Sequence, residues 1–323
     1  MNKQTTIAAN SRGRQASRST QLRAWQKEAL AITQAWGFVP NLRVSVTGEC
    51  NMRCDFCHNE GGSKHSIGLS LAEYQLLAWE ASAIGLRSVK LTGGDPMLRE
   101  DLPEIVSAFR GAGFEAISLV TNGIALTRER QTALKSAGLQ RVTVSVHTLK
   151  PEIYEQRMRT SARNLQETLV NLDHASVLFD GNLKLNTVFE VGGNYPGEVL
   201  KLVELTCYLK ATLSVLSMVS QEPRSCVVSN GVREIIHKAF HVREVQTAIK
   251  RGVKVETLIL QEGGAVELDD FRAEDAVLAK NTNAYCATCP LKLKCTEGPY
   301  ALRITANGWF KPCLIRKDNE VHI

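Results

Sequence analysis

Short β-rich segments and amphipathic helical segments alternate along the middle of the chain, and this alternation limits the possible folds more than any other feature. Strands are predicted from β-branched and apolar residues at 42–46, 88–91, 116–120, 141–146, 184–189 and 213–218. Helical spacing of apolar residues follows at 71–83, 101–111, 127–136, 164–178 and 196–209. Repeated strand–helix units predict parallel strands joined by crossover helices. Six units cannot close an eight-stranded barrel, so we expect an α/β fold, a partial (β/α)6 barrel of the TIM type.

The alternation ends near Ser220, and three parts of the chain are predicted from it. Residues 1–37 form a basic tail and an N-terminal helix, and residues 38–219 form the partial barrel. Residues 220–323 form a C-terminal domain, in which 232–251 resembles a helix and 253–260 a strand.

Composition restricts the class of protein. Hydrophobic residues make up 44% and charged residues 22% of the 323 residues, which is ordinary for a soluble globular chain. No apolar segment approaches the ~18 residues that span a bilayer, and the polar N-terminus has no signal-peptide core. We therefore expect a protein of the reducing cytoplasm with no membrane partner. A net charge of +6 is too small to indicate nucleic-acid binding, but its sign suits an anionic small-molecule substrate.

Nine cysteines are present, and in a reducing compartment grouped cysteines indicate metal or redox chemistry. Cys207 and Cys226 stand apart and are expected to be small buried side chains. The other seven fall into two groups with close spacing: Cys50, Cys54 and Cys57, and Cys286, Cys289, Cys295 and Cys313.

The first group has the spacing C-x3-C-x2-C and follows the first predicted strand. Three thiolates suit a four-iron cluster that keeps one iron open to other ligands. Structural zinc is the alternative, with His58 or His65 as fourth ligand. The order Cys54-x2-Cys57-His58 also matches a c-type haem site, but that interpretation leaves Cys50 without a role.

Polar loops follow the next three strands as well. Gly93-Gly94-Asp95-Pro96 follows the second strand, Thr121-Asn122-Gly123 the third, and Ser145 and His147 end the fourth. Taken singly, these are ordinary turns and caps. Because the carboxyl ends of parallel barrel strands lie on one face, we expect these three loops and the cysteine loop to converge at that end of the barrel.

Together, the cysteine spacing, Phe56 before the third cysteine and the glycine-rich loop one unit later resemble the radical S-adenosylmethionine (SAM) superfamily. The resemblance implies a 4Fe–4S cluster on the three cysteines, SAM bound at its open iron, and reductive cleavage to a 5′-deoxyadenosyl radical. It implies an electron donor of the flavodoxin or ferredoxin type. SAM contacts are implied for the GGEP-like loop, which has Asp in place of Glu, and for the later strand ends: Gly93, Gly94, Asp95, Pro96, Thr121, Asn122 and Ser145.

The second cysteine group has the spacing C-x2-C-x5-C-x17-C, which by itself also suits structural zinc. The segment 302–314 resembles the C-terminal motif of the GTP 3′,8-cyclase (MoaA) family, and the resemblance extends over about residues 41–316. It implies a second, auxiliary 4Fe–4S cluster, and the cysteine spacing is closer to that of SPASM/twitch domains. It also implies substrate contacts for three basic residues, Arg99, Lys184 and Arg303.

Three departures from the cyclase pattern bear on the substrate. The fourth cysteine is additional, the cyclase Arg-Leu-Arg run is Ala301-Leu302-Arg303, and the given sequence lacks a terminal Gly-Gly. The departures predict that the substrate is not GTP itself. The resemblance implies hydrogen-atom abstraction, and we expect the substrate to be an anionic nucleotide-, nucleoside- or sugar-like metabolite in cofactor or natural-product biosynthesis. The alternatives are a peptide-modifying maturase and a divergent GTP 3′,8-cyclase of molybdenum cofactor biosynthesis. A non-enzymatic zinc-binding protein is the alternative from outside enzymes.

Overall fold

A computed structural model describes the chain over residues 22–59, 66–189, 196–217, 229–250, 253–270, 284–290, 292, 301–314 and 320–323. The basic tail, His65, Cys226 and Cys295 lie outside these residues.

Nine α-helices lie in the described segments: α1 (Ala24–Trp36), α2 (Leu71–Ala83), α3 (Leu102–Gly111), α4 (Arg128–Ala137), α5 (Pro151–Met158), α6 (Arg163–Leu178), α7 (Pro196–Tyr208), α8 (Ser229–Ala239) and α9 (Ala284–Ala287). Local sequence sets several of their ends. Ser70 and Glu73 form a capping box at the start of α2, and Gly138 ends α4 in a left-handed conformation. No helix in these segments is both long and apolar enough to cross a bilayer.

Twelve strands of the described residues form one sheet: β1 (Asn41–Ser45), β2 (Ser88–Thr92), β3 (Ala116–Thr121), β4 (Arg141–Ser145), β5 (Leu183–Phe189), β6 (Thr212–Ser217), β7 (Val242–Lys250), β8 (Val253–Leu260), β9 (Ala265–Asp270), β10 (Ala301–Ile304), β11 (Trp309–Lys311) and β12 (Val321–His322). β1 to β6 are parallel neighbours in chain order, which confirms the predicted partial barrel. C-terminal strands extend both edges in parallel, with β10 beside β1 and β9 beside β6.

Alternation along the barrel strands separates the two faces of the sheet. Leu42 and Val44 of β1 are fully buried in the main hydrophobic core with the helices, and their neighbours Leu302 and Ile304 of β10 lie on the same face. Arg43 lies between Leu42 and Val44, and Arg303 lies between Leu302 and Ile304. Because side chains alternate along a strand, these two arginines point to the opposite, concave face of the barrel. The core is therefore outside the barrel wall, and polar side chains line the inside.

Two elements differ from the sequence predictions. The predicted helix over 232–251 is wrong in its second half, because α8 ends at Ala239 and β7 then pairs with β8 in an antiparallel hairpin. The apolar residues of that segment have helix-like spacing, but backbone pairing with β8 determines the structure. The helix α5 was not predicted, because its eight residues are too few to show a clear apolar period.

Candidate functional site

The cysteine loop leaves the carboxyl end of β1 and is held by the last turn of α5. The backbone N–H of Arg53 donates to the Met158 carbonyl at 3.0 Å, and that of Asp55 donates to the Arg157 carbonyl at 3.0 Å. The Arg157 guanidinium lies over the Phe56 ring, 5.1 Å from its centroid, and pairs with the Asp55 carboxylate. The loop is thus fixed against the barrel on one side.

The three thiols of this loop differ in exposure. Cys50 and Cys57 are exposed, and Cys54 is half-buried. Burial, assisted by the neighbouring thiols of Cys57 and Cys50, raises the pKa of Cys54 to about 12, and burial also raises the pKa of Cys50. Thiols of this kind become thiolates by binding a metal rather than by losing a proton to water.

An apolar cluster lies behind Cys54. Its buried members are Met52, Tyr154, Met158 and Leu165, and Cys54 and Phe56 pack against it. The Cys54 Sγ is 3.5 Å from the Met158 Sδ and 4.0 Å from the Met52 Sδ. One side of the predicted cluster site is therefore dry.

The glycine-rich loop after β2 packs directly on the chain that leads into the cysteine loop. Gly94 N–H donates to the Thr47 carbonyl at 2.8 Å, and Asp95 N–H donates to the Glu49 carbonyl at 2.7 Å. A Cβ on Gly93 would lie 2.2 Å from the Thr47 oxygen, and one on Gly94 would lie 2.0 Å from the Glu49 oxygen. The two glycines are therefore required for contact between the loops, whatever they do for SAM.

Replacing Gly94 with alanine should displace the cysteine loop, because the new methyl group would overlap the backbone carbonyl of Glu49. We expect iron content after anaerobic reconstitution to fall by at least half relative to wild type. Gly111→Ala is the matched control, because a Cβ there meets nothing within 4 Å at the end of α3. Equal iron loading in both variants would contradict this role.

Asp95 joins the glycine-rich loop to the loop after β3. Its side chain is 1% exposed and accepts hydrogen bonds from the Thr121 hydroxyl (2.9 Å), the Asn122 N–H (2.7 Å) and the Met97 N–H (2.9 Å). Burial raises its pKa even though these donors favour the carboxylate. Asp95 therefore organises the loops instead of pointing at a ligand.

Asn122 links the same region to the cysteines. Its amide Nδ2 donates to the Asn51 Oδ1 at 2.6 Å and lies 3.9 Å from the Cys50 Sγ. The structure thus brings together the predicted cluster ligands, the glycine-rich loop and Thr121–Asn122. Their roles as ligands and SAM contacts remain predictions.

Ser145 and His147 lie at the carboxyl end of β4. Ser145 is half-buried, next to Asn186 of β5 on the concave face. The His147 Nδ1 accepts the Val188 N–H at 3.1 Å, and its ring meets the Phe56 ring at 4.6 Å between centroids. Burial, with a contribution from the nearby Arg157 cation, lowers the pKa of His147 to about 3, so the imidazole is neutral at physiological pH. His147 connects the strand ends to the cysteine loop.

A row of cations crosses the concave face, and sequence reasoning found only one of them. Arg43 of β1 is the register partner of both Arg303 of β10 and Lys90 of β2, so the three side chains leave the sheet side by side. The sequence contains a signal that could have identified the other two, because Arg43 and Lys90 each lie two residues before the end of their strand. Lys184 of β5 is on the same face and forms an ion pair with Glu267 of β9.

Arg99, the third predicted substrate contact, is placed differently. Its guanidinium holds the Asp101 carboxylate through Nε (2.8 Å) and Nη2 (2.6 Å). Its Nη1 donates to three carbonyls, those of Val46, Ile67 and Leu69. The structure therefore gives Arg99 a bracing position between loops and does not bring it into the row of Arg43, Lys90 and Arg303.

The second cysteine group is described in part. Cys286 lies in α9, Cys289 follows it with its N–H donating to the Cys286 carbonyl at 2.9 Å, and Cys313 follows β11. All three are half-buried thiols, and Cys295 lies outside the described residues. The auxiliary-cluster ligand set stays a prediction.

Comparison with known proteins agrees with this geometry. A sequence profile of the radical SAM superfamily matches residues 44–206. A probable GTP 3′,8-cyclase of Thermococcus kodakarensis is 34% identical over 287 residues, 88% of this chain and 87% of that protein. A probable GTP 3′,8-cyclase of Methanothermobacter marburgensis is 32% identical over 281 residues, 87% of this chain and 86% of that protein.

Solved structures support the fold. SuiB of Streptococcus suis bound to the precursor peptide SuiA superposes with a TM-score of 0.61 at 13% identity, over 92% of this chain and 65% of that chain. At this identity the likeness concerns the fold alone. The assignment to a family rests on the sequence relatives. It implies a 4Fe–4S cluster, SAM and a second, auxiliary cluster of the kind typical of GTP 3′,8-cyclases. From the profile match and the near full-length relatives, the chain belongs to the radical SAM superfamily and is a MoaA-like enzyme within it.

Proposed function

We propose that this enzyme acts on a purine nucleoside triphosphate and carries out a reaction of the GTP 3′,8-cyclase type. The observation that carries the proposal is the row of Arg43, Lys90 and Arg303 on the concave face. Three adjacent cations inside a barrel suit a polyphosphate, because charge-assisted hydrogen bonds are strongest away from water. The near full-length relatives are probable GTP 3′,8-cyclases, which supports the same substrate.

Each part of the site has a role in this proposal. Cys50, Cys54 and Cys57 hold the 4Fe–4S cluster, and the backbone of Gly93 to Pro96, together with Thr121, Asn122 and Ser145, surrounds SAM. When bound, the cluster and SAM supply a 5′-deoxyadenosyl radical. The cations would hold the nucleotide so that the C3′ hydrogen can pass to the 5′-deoxyadenosyl radical, which becomes 5′-deoxyadenosine. The carbon radical at C3′ then forms a bond to C8, and one electron from the external donor together with one proton on the purine ring completes the product. His147 and Arg157 hold Phe56, which closes the cysteine-loop side of the site against water.

A second candidate, another anionic nucleotide or sugar derivative, is favoured by one observation. Ala301 stands on β10 two residues from Arg303, on the same face and opposite Asn41. The cyclase family has an arginine at this position, so the concave face here holds one cation fewer. A substrate with a smaller anionic group would need fewer cations.

An anaerobic assay with GTP deuterated at C3′ tests the proposal. We expect deuterium in the 5′-deoxyadenosine and a 3′,8-cyclised product. Lys90→Ala should raise KM for GTP about 10–100-fold, because each charge-assisted contact contributes about 1.5–3 kcal/mol. Lys201→Ala, at an exposed position on α7, should leave KM unchanged. Slow 5′-deoxyadenosine formation without deuterium would exclude GTP and support the second candidate; stimulation only by a peptide would support a maturase.

A further inference from the structure

The loop after β3 has its carbonyl groups bound by side chains from two helices outside the barrel wall. This β3 loop comprises residues 122–126. On α6, the Asn171 Nδ2 donates to the Gly123 carbonyl at 2.9 Å and to the Ile124 carbonyl at 3.0 Å. On α4, the Gln131 Nε2 donates to the Leu126 carbonyl at 2.8 Å. Asn171 therefore binds two consecutive peptide groups of a loop at the candidate site.

The orientation of Asn171 is fixed by its surroundings. Gln131 is fully buried, and its Nε2 also donates to the Asn171 carbonyl at 2.9 Å, which joins α4 to α6 at this residue. The Gln131 Oε1 lies 2.9 Å from the His174 Nδ1, so both ends of the glutamine amide have partners. Both hydrogens of the Asn171 Nδ2 meet carbonyl oxygens, which holds its amide in one orientation. The β3 loop is thus attached to a rigid pair of helices.

Gly123 allows the β3 loop to lie close to α6. Its φ is 86°, in the left-handed region that favours glycine. A Cβ at this position would lie 2.9 Å from the Thr168 Cγ2 and 2.8 Å from the Val144 Cγ1. A larger residue would push the loop away from α6, so the contact with Asn171 depends on glycine.

Two side chains of the β3 loop reach the cysteine loop. The Asn122 Nδ2 donates to the Asn51 Oδ1 at 2.6 Å and lies 3.9 Å from the Cys50 Sγ. Ile124 packs against the same apolar cluster as Cys54. A displacement of the β3 loop would therefore move groups that lie beside two of the three predicted cluster ligands.

We propose that Asn171 is a positioning residue for SAM, because it holds the β3 loop where Thr121 and Asn122 meet the bound cofactor. The inference rests on the assignment of Thr121 and Asn122 as SAM contacts in the proposed function. A loop that already has its binding conformation costs less to order when a ligand binds. A loop in that position only about a tenth of the time lowers the apparent affinity about tenfold. Asn171 acts through the Gly123 and Ile124 carbonyls.

Asn171→Leu in the reconstituted full chain tests the inference, because leucine is similar in size and has no donor. The change in the EPR signal of the reduced cluster on adding SAM gives the dissociation constant for SAM, which we expect to rise about tenfold. In the cluster-free chain, hydrogen exchange over 122–126 should become faster. Asn164→Leu is the matched control on the same helix, because its amide donates to Thr160 and not to the β3 loop.

A double-mutant cycle with Asn122→Ala separates an effect through the loop from an independent one. The double variant should bind SAM within about twofold of Asn122→Ala alone, whereas independent effects would multiply and overturn the inference. A dissociation constant within about twofold of the wild type in Asn171→Leu overturns it as well. If that variant loads no iron, unchanged exchange over 122–126 in the cluster-free chain has the same meaning. Unchanged SAM binding in Asn122→Ala would instead refute the SAM contact in the proposed function.

Discussion

Cys54→Ala should reduce SAM cleavage to the level measured without enzyme, while the chain stays folded. The thiol is one of three predicted ligands and is half-buried between Met52 and Met158, so its loss removes an iron ligand from the driest part of the site. The free energy of unfolding should change by no more than about 1 kcal/mol, since the loop lies outside the main core. The measurements are 5′-deoxyadenosine formation with dithionite and urea unfolding of the cluster-free proteins.

Cys207→Ala is the matched control for this experiment. Cys207 is also half-buried, but it lies on α7 and packs against the main core. That variant should keep full 5′-deoxyadenosine formation. Activity in the Cys54 variant above the no-enzyme level would show that the first cysteine group is not the cluster site.

Asp95→Ala should lower the free energy of unfolding by about 3–5 kcal/mol, because three buried donors lose their acceptor and each costs about 1–3 kcal/mol when unpaired. Those donors come from three positions around the site: the Met97 N–H, the Asn122 N–H and the Thr121 hydroxyl. The same change should abolish cluster loading, since Asn122 would lose the anchor that holds its amide beside Cys50. Urea unfolding and iron analysis are the measurements.

Asp95→Asn should fall between the wild type and the alanine variant, because its one carbonyl oxygen still accepts from part of the set. Asp180→Ala, at an exposed carboxylate after α6, should stay within about 0.5 kcal/mol of the wild type. A loss below about 1 kcal/mol for Asp95→Ala would show that the buried carboxylate does not organise these loops.

Features encoded locally were predictable from the sequence. The bounds of α2 agree at both ends with the prediction, and the capping box of Ser70 and Glu73 fixes its start within four residues of chain. The order of the barrel strands also followed from the sequence, since a parallel strand after a helix has few places to go. The convergence of the cysteine loop with Asn122 follows from the same rule, because both leave carboxyl ends of parallel strands.

Features that depend on distant contacts were not predictable in the same way. β7 has apolar spacing close to that of a helix, and its strand form depends on a partner that comes later in the chain. The backbone hydrogen bond from Arg53 to Met158 joins residues far apart in sequence, so no local sequence pattern predicts it. A contact between residues close in sequence can also escape prediction. Arg99 and Asp101 are two residues apart, but only the structure shows that they form an ion pair.

The position of β9 and β10 has a consequence for biosynthesis of the chain. The N-terminal barrel units present two edges, β1 and β6, and each is covered by a strand from the last quarter of the sequence. Unpaired strand edges are sites of self-association, and contacts between distant segments form slowly. During synthesis, β1 and β6 are therefore unpaired edge strands until β9 and β10 have been made and pair with them. The late strands that carry Arg303 and Glu267 act as the molecule's own protection against aggregation, in addition to lining the site.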